Sequence, residues 1–341
     1  MSQRISIEAL SYLKAPIKMT SNQLERQIGE KSYKRFGIEI GLLKQLSGVK
    51  ERRYWKIGDQ IHEKAAEVAS MAIKEAGISN SDVGCLINAS VSHDYLEPTL
   101  AVMIHNELGL SSSCLNFDIG NACTGFATAI QAMEGLLLSR KIKYGVIVAA
   151  ESSRRLHDLT VMRLAKDSST FEDFKNEFAS LTLGSGAVAM VLCREEDSKT
   201  SHRINGILNA CDSRWNMLTY GKTYDQLICN AHEMLVKSKD VLEDIKEKIK
   251  SNWKWHEKDN MPDFIIPHQV SKVHEVYFNQ YASEIPSERI IYIYKKLGNI
   301  GPAAWPIALY LGDKEHDFTG KHIGIASIGS GFNVCALDIT W

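Results

Sequence analysis

Leu183-Gly184-Ser185-Gly186-Ala187-Val188-Ala189-Met190-Val191-Leu192 is the stretch whose reading decides the architecture. Its glycines resemble a short dinucleotide fingerprint. That motif has to open a helix, however, and Val188 to Cys193 is a β-rich run, so the fingerprint is rejected. The same pattern returns near the C-terminus as Ile328-Gly329-Ser330-Gly331, followed by Phe332 to Leu337. Two more pairs fall in the same order. Gly120-Asn121-Ala122-Cys123 matches Gly298-Asn299-Ile300-Gly301, each opening a helical stretch. Asp82-Val83-Gly84-Cys85-Leu86-Ile87 matches Asp263-Phe264-Ile265-Ile266, a strand that ends at Pro267-His268. Three short matches in register read as an internal duplication. Arg154 to Ser180, polar and helix-prone, has no counterpart and accounts for the longer spacing in the first half. Alternating strands and helices then predict an α/β protein of two related halves packed in layers, residues 1–198 and 199–341, with the linker in the polar stretch Glu195 to His202.

Composition narrows the function classes. The 341 residues suffice for one large or two medium domains with a substantial core. Forty basic and 41 acidic residues leave a formal charge of −1, so no basic field invites nucleic acid. Apolar stretches such as Tyr144 to Ala150 fall far short of the ~20 residues of a membrane span. The opening Met-Ser-Gln-Arg has no apolar signal core behind it, which predicts a cytoplasmic protein. Seven cysteines without a CxxC pair suit a reducing compartment and argue against a zinc site or a redox dithiol. With no HExxH, Walker or EF-hand motif either, no metal and no cofactor are expected. Lys239 to Asn260, dense in charge and carrying Trp253 and Trp255, reads as a solvated amphipathic helix and its loop.

Cys123 lies between the short apolar run Leu115 to Ile119 and a stretch where Phe126, Ile130, Met133, Leu137 and Leu138 recur at helical spacing. A thiol at a helix N-terminus meets free N–H groups and partial positive charge, both of which favour a thiolate. A buried structural cysteine at a βα junction fits the segment equally well. In a doubly wound half, functional groups gather at the carboxyl ends of strands. His268 and Asn299 follow the runs Phe264–Ile266 and Ile290–Tyr294, so they take such positions in the second half. Singly, they read as an ordinary histidine and a turn residue. A two-fold relation between the halves would bring both to the thiol, giving a nucleophile with two hydrogen-bonding partners.

These residues resemble the thiolase superfamily, and within it the ketoacyl-ACP synthase III-like condensing enzymes. The resemblance rests on Asn121-Ala122-Cys123-Thr124-Gly125, His268 after a strand, Gly298-Asn299, and the terminal Gly329-Ser330-Gly331 turn, and it spans nearly the whole chain. It implies the five-layered αβαβα thiolase fold and a homodimer that takes acyl-CoA or acyl-carrier-protein substrates. Cys123 would carry the first acyl group as a thioester. His268 and Asn299 would hold the thioester oxygen of the second, and the backbone N–H groups of Cys123 and Ser330 would form a further oxyanion site. Lys50, Arg52 and Arg53 lie in Gly48–Arg53, a segment similar to one near the CoA entrance of that branch, and Trp55 follows it. Arginine grips phosphate and tryptophan stacks, so these four are candidate CoA contacts, although a basic surface cluster beside an aromatic is also ordinary.

Glu97 separates the chemistries. A decarboxylating synthase makes its carbanion by losing CO2 and needs no carboxylate base. Joining two plain acyl chains requires removal of a weakly acidic α-proton, so a base must be positioned. The stretch Leu86 to Pro98, with Asp94-Tyr95-Leu96-Glu97-Pro98 at its end, is most similar to the branch that joins two acyl-CoAs head to head. By that resemblance Glu97 would be the base, reaching across the dimer into the partner's site. Non-decarboxylative condensation to a β-keto acid or its thioester is therefore expected. Malonyl-dependent condensation and polyketide chain-joining on carrier proteins remain the alternatives. A scaffold that had lost its chemistry would have no use for Cys123, His268, Asn299 and Glu97 together.

Overall fold

The computed structural model describes residues 4–221 and 225–341. Nine strands form its main sheet: β1 (Ile5–Leu13), β2 (Val83–Asn88), β3 (Leu115–Asp118), β4 (Tyr144–Glu151), β5 (Gly186–Arg194), β6 (Arg203–Cys211), β7 (Phe264–Pro267), β8 (His322–Gly329) and β9 (Asn333–Thr340). The helices that matter here are α1 (Ile61–Glu75), α2 (Leu100–Leu108), α3 (Gly125–Leu138), α4 (Arg154–Leu164), α5 (Phe171–Glu177), α6 (Lys239–Asn252), α7 (Lys272–Tyr281) and α8 (Ala304–His316).

The strand order is β7-β8-β9-β6-β1-β5-β4-β2-β3. It divides into a first-half set (β1, β5, β4, β2, β3) and a second-half set (β6, β9, β8, β7). The two sets meet only through Ile5↔Ile204 and Ser6↔Arg203. In each set the strand after the glycine turn, β5 or β9, runs antiparallel to the strand before it, β4 or β8. Parallel pairs lie beyond, β2 with β3 and β4, and β7 with β8. The duplication read from the glycine turns is thus a duplication of topology.

Every residue of β4 is buried, as expected of a strand covered on both faces. Helices α3 and α8, which begin at the two matched Gly-Asn segments, supply the inner cover. They pack together between the two sets of strands, with Phe126 edge-on to Trp305 at 5.5 Å. The alanine-rich face of α1 (Ala65, Ala69, Ala72) and α2 cover the outer side of the first set. Val241 and Ile245 of α6 cover the second, against Ala210, Val334 and Ala336. The result is the five-layered αβαβα arrangement of the thiolase fold. The inserted α4 and α5 build a separate small core with N-terminal residues Leu24, Tyr33 and Phe36.

Two local expectations are corrected. Ile290 to Tyr294 is not a strand: Ile290 makes one bridge to Ile265, and Tyr294–Leu297 is a helical turn. The buried Gln269 side chain supplies what a ladder would have, donating to Pro267 O and Ile291 O and accepting from Ile293 N at 2.8 Å. Nor is Lys239 to Asn260 merely solvated. One face of α6 is packed inward, and Trp255 is buried with its indole N–H on Asp338 Oδ2 at 3.0 Å.

Candidate active site

Cys123 sits in a single 3-10 turn, Ala122–Thr124, that leads from β3 into α3. The left-handed residue in the turn is Ala122 (φ 43°), not one of the flanking glycines. An L-residue there stores of order 1 kcal/mol, a strain that tends to concentrate at functional sites. Thr124 Oγ1 donates to Asn121 O at 2.8 Å, and Asn121 Nδ2 donates to Thr128 Oγ1 at 2.8 Å, fixing the turn from both sides. The expected thiolate is not what the surroundings favour. Burial pushes the Cys123 thiol up to about 12, the nearby Glu151 carboxyl adds to this, and a backbone hydrogen bond only partly offsets it. Cys123 rests as a thiol.

Each glycine turn braces the other half's helix start. Gly329, at the end of β8, lies so close to the nucleophile that a Cβ there would be 3.2 Å from both Cys123 N and Thr124 N. Its neighbour Ser327 donates from Oγ to Cys123 O at 3.2 Å. In the first half, Gly184 N donates to Asn299 O at 2.8 Å, and Asn299 N donates to Thr182 O at 3.0 Å. A Cβ on Gly184 would fall 1.8 Å from Leu297 O, so no larger residue fits without moving the Asn299 loop.

The two halves do bring the expected partners together. Cys123, His268, Asn299 and Ser330 all line one cavity of about 1130 Å³. His268 follows β7 directly, and burial, with His274 nearby, holds its imidazole down at about 3. It is therefore neutral and able to accept or donate a proton. Asn299 Oδ1 accepts from Gly301 N at 2.9 Å, which leaves its Nδ2 hydrogens as the free donors. Away from these groups the cavity is mostly apolar, with Met234, Leu242, Ile245, Ile249, Phe278 and Tyr281 on its walls. Its volume exceeds the ~300–1,000 Å³ of ordinary small-molecule pockets.

The other sequence candidates fall elsewhere. Glu97 is exposed in the loop between β2 and α2, and it is not among the residues lining this chain's own cavity. Arg52 is wholly buried, donating to Ser21 Oγ and Leu181 O, and Trp55 is buried with its indole N–H on Glu151 O. Both are corrected from candidate CoA contacts to internal braces: alternation along the short strand Glu51–Tyr54 turns Arg52 inward, and Trp55, just past the strand, is held by its bond to Glu151 O. Arg53 pairs with Glu51 at 3.3 Å, while Lys50 is exposed. Sequence reasoning missed Glu151, a buried carboxyl on the cavity wall held up at about 7 by burial. Its signal was available, since an acid that closes the apolar run Tyr144 to Ala150 stands at a strand's carboxyl end.

Residues 117–212 match the family model for 3-oxoacyl-[acyl-carrier-protein] synthase III. The acyl-CoA:acyl-CoA alkyltransferase of Xanthomonas campestris pv. campestris is 32% identical, and the match covers 99% of both chains. That of Shewanella oneidensis is 30% identical, again over 99% of both. The solved structure of a cysteine-to-serine variant of Xanthomonas campestris OleA, with bound lauric acid and lauroyl-CoA, superposes with a TM-score of 0.94 at 31% identity. That superposition covers all of both chains.

Proposed function

Because this chain belongs to the ketoacyl-ACP synthase III-like condensing enzymes, alongside the acyl-CoA:acyl-CoA alkyltransferases, we propose that it joins two long-chain acyl-CoA thioesters by non-decarboxylative Claisen condensation. It is an acyltransferase. The observation that carries the finer reading is the single cavity that holds Cys123, His268 and Asn299 together and continues into apolar space large enough for alkyl chains.

In the first half-reaction Cys123 Sγ attacks the thioester carbonyl, the C–S bond to CoA breaks, and the Cys123 proton is relayed by neutral His268 to the departing sulfur, so CoA leaves as the thiol. The tetrahedral oxyanion is held by the backbone N–H groups of Cys123 and Ser330, donors that cost no reorganisation at the moment of reaction. In the second, Glu97 removes an α-proton from the next acyl-CoA. The enolate oxygen is held by His268 and Asn299 Nδ2, and the α-carbon attacks the acyl-Cys123 carbonyl. The C–S bond to Cys123 breaks, the proton taken by Glu97 returns to the Cys123 sulfur, and the β-keto thioester that results is hydrolysed to the β-keto acid.

Glu97 would act in a partner's cavity, within a homodimer. In support, β3 is an edge strand with Leu115 48% exposed, and the Glu97 loop itself exposes apolar side chains: Leu96 is 87% exposed, Tyr95 52% and Val91 47%. Apolar side chains exposed on an edge strand and on a protruding loop are the kind of surface a second copy covers. Glu97→Gln tests the assignment. The variant is expected to form the acyl adduct on Cys123, seen as an intact-mass shift, and to yield no condensation product. Normal condensation would remove Glu97 from the mechanism.

A further inference from the structure

We propose that Glu151 is a positioning residue for condensation: its carboxylate clamps the backbone at Val91 and Ser92 and so fixes the loop that presents Glu97. The inference rests on the reading of Glu97 as the base.

After Ala89, whose N–H donates to Val148 O at 2.8 Å, the loop from Ser90 to Thr99 leaves the sheet ladder, and side chains fix its first part. Glu151 Oε1 accepts from Val91 N at 2.7 Å, and Oε2 accepts from Ser92 N at 3.0 Å and Ser92 Oγ at 2.7 Å. Ser92 Oγ in turn accepts from Ser152 N at 2.9 Å, and Ser90 Oγ accepts from Ala150 N at 2.9 Å. Further along, Asp94 Oδ2 accepts from Ile61 N at the start of α1 at 3.0 Å. Glu97 follows three residues later. The loop from Ser90 to Asp94 is therefore stitched to the end of β4 and the tip of α1, with one carboxylate making three of the stitches.

Both oxygens of Glu151 face donors, which only an ionised carboxylate can satisfy completely. Burying a carboxyl is costly unless it is hydrogen-bonded, and these donors offset that cost. The strand end itself does not need the acid, because Glu151 is already paired with Gly186 in the β4–β5 ladder. A negative charge beside Cys123 also opposes formation of the thiolate. Acylation is thus not the step that Glu151 serves, and the loop is.

The test separates the two half-reactions in the full-length protein, with lauroyl-CoA as the substrate. Glu151→Gln keeps one acceptor oxygen and turns an amide N–H2 towards a donor. Its Cys123 is expected to acylate at least as fast as wild type, because the opposing charge is gone, while condensation falls about 100-fold from misplacement of the base. Ser92→Ala, which loses one stitch, is expected to lose condensation in the same sense but less. An acylation defect as large as the condensation defect would overturn the proposal. If Glu151→Gln does not fold, Ser92→Ala decides, and wild-type condensation by it overturns the clamp. Normal condensation by Glu97→Gln defeats the base assignment and this inference with it. A blocked Glu97→Gln beside a fully active Glu151→Gln defeats this inference alone.

Discussion

Cys123 owes its reactivity to its neighbours more than to its own acidity. The helix start supplies N–H donors, but burial and the Glu151 carboxyl outweigh them, so the thiol stays protonated until a thioester and neutral His268 are both at hand. This protects a nucleophile that must wait for a substrate. Its alkylation by iodoacetamide, followed at the Cys123 peptide, should therefore keep rising through pH 9, about tenfold per unit for a group titrating well above that range. A plateau below pH 8 would show a preformed thiolate instead. A second buried residue sets a stability limit. His157 accepts from Tyr54 OH at Nδ1 (2.5 Å) and donates from Nε2 to Ser180 O (2.7 Å), and burial, reinforced by Arg52, holds it down at about 3. Between that value and the ~6.5 of an unfolded histidine, the unfolded chain binds a proton that the folded one does not, so stability falls as pH drops. Its contribution approaches ~1.4 kcal/mol per pH unit below 6. Urea midpoints at pH 7.5 and 5.5 should converge for His157→Gln relative to wild type. An identical pH slope in the two proteins would mean that His157 is not held neutral.

At the scale of elements, the site is made by four turns that brace one another across the pseudo-two-fold. The Gly184 turn carries the Asn299 loop, and the Gly329 turn carries Cys123. Gly184→Ala should therefore do more than add a methyl group. Its Cβ would collide with Leu297 O, costing ~1–3 kcal/mol in overpacking and displacing Asn299. Both the denaturation midpoint and the condensation rate should drop, and a variant with wild-type values in both would refute the bracing. These turns were legible in the sequence because glycine at a fixed offset before a β-rich run is a backbone signal, repeated twice. His268 was legible for a similar reason, as the residue just past a strand. What could not be read was whatever depends on tertiary partners. Gln269 replaces a strand ladder with side-chain hydrogen bonds, which leaves no periodicity to detect. Arg52 looks like a surface charge until Leu181 O and Ser21 Oγ enclose it. The inner face of α6 looked solvated because its charges dominate its composition, although Val241 and Ile245 are buried.

For the whole molecule, duplication places two helix starts back to back between two sets of strands, and the cavity opens where they meet. One half contributes Cys123, the proposed nucleophile, and the other contributes His268 and Asn299. In the proposed reading, the exposed loop carrying Glu97 would complete the site of a second copy. No helix among the described residues is long and apolar enough to cross a membrane. The site's apolar volume points to alkyl chains, and its lack of need for a malonyl unit follows from the assignment of a base. That last point is open to direct measurement. Purified protein is given a saturated long-chain acyl-CoA as sole substrate, and the products are resolved by mass. A β-keto acid, or the ketone formed from it, that contains the carbons of both acyl chains is the predicted result. Acylated Cys123 with no further product until malonyl-CoA is added would contradict it.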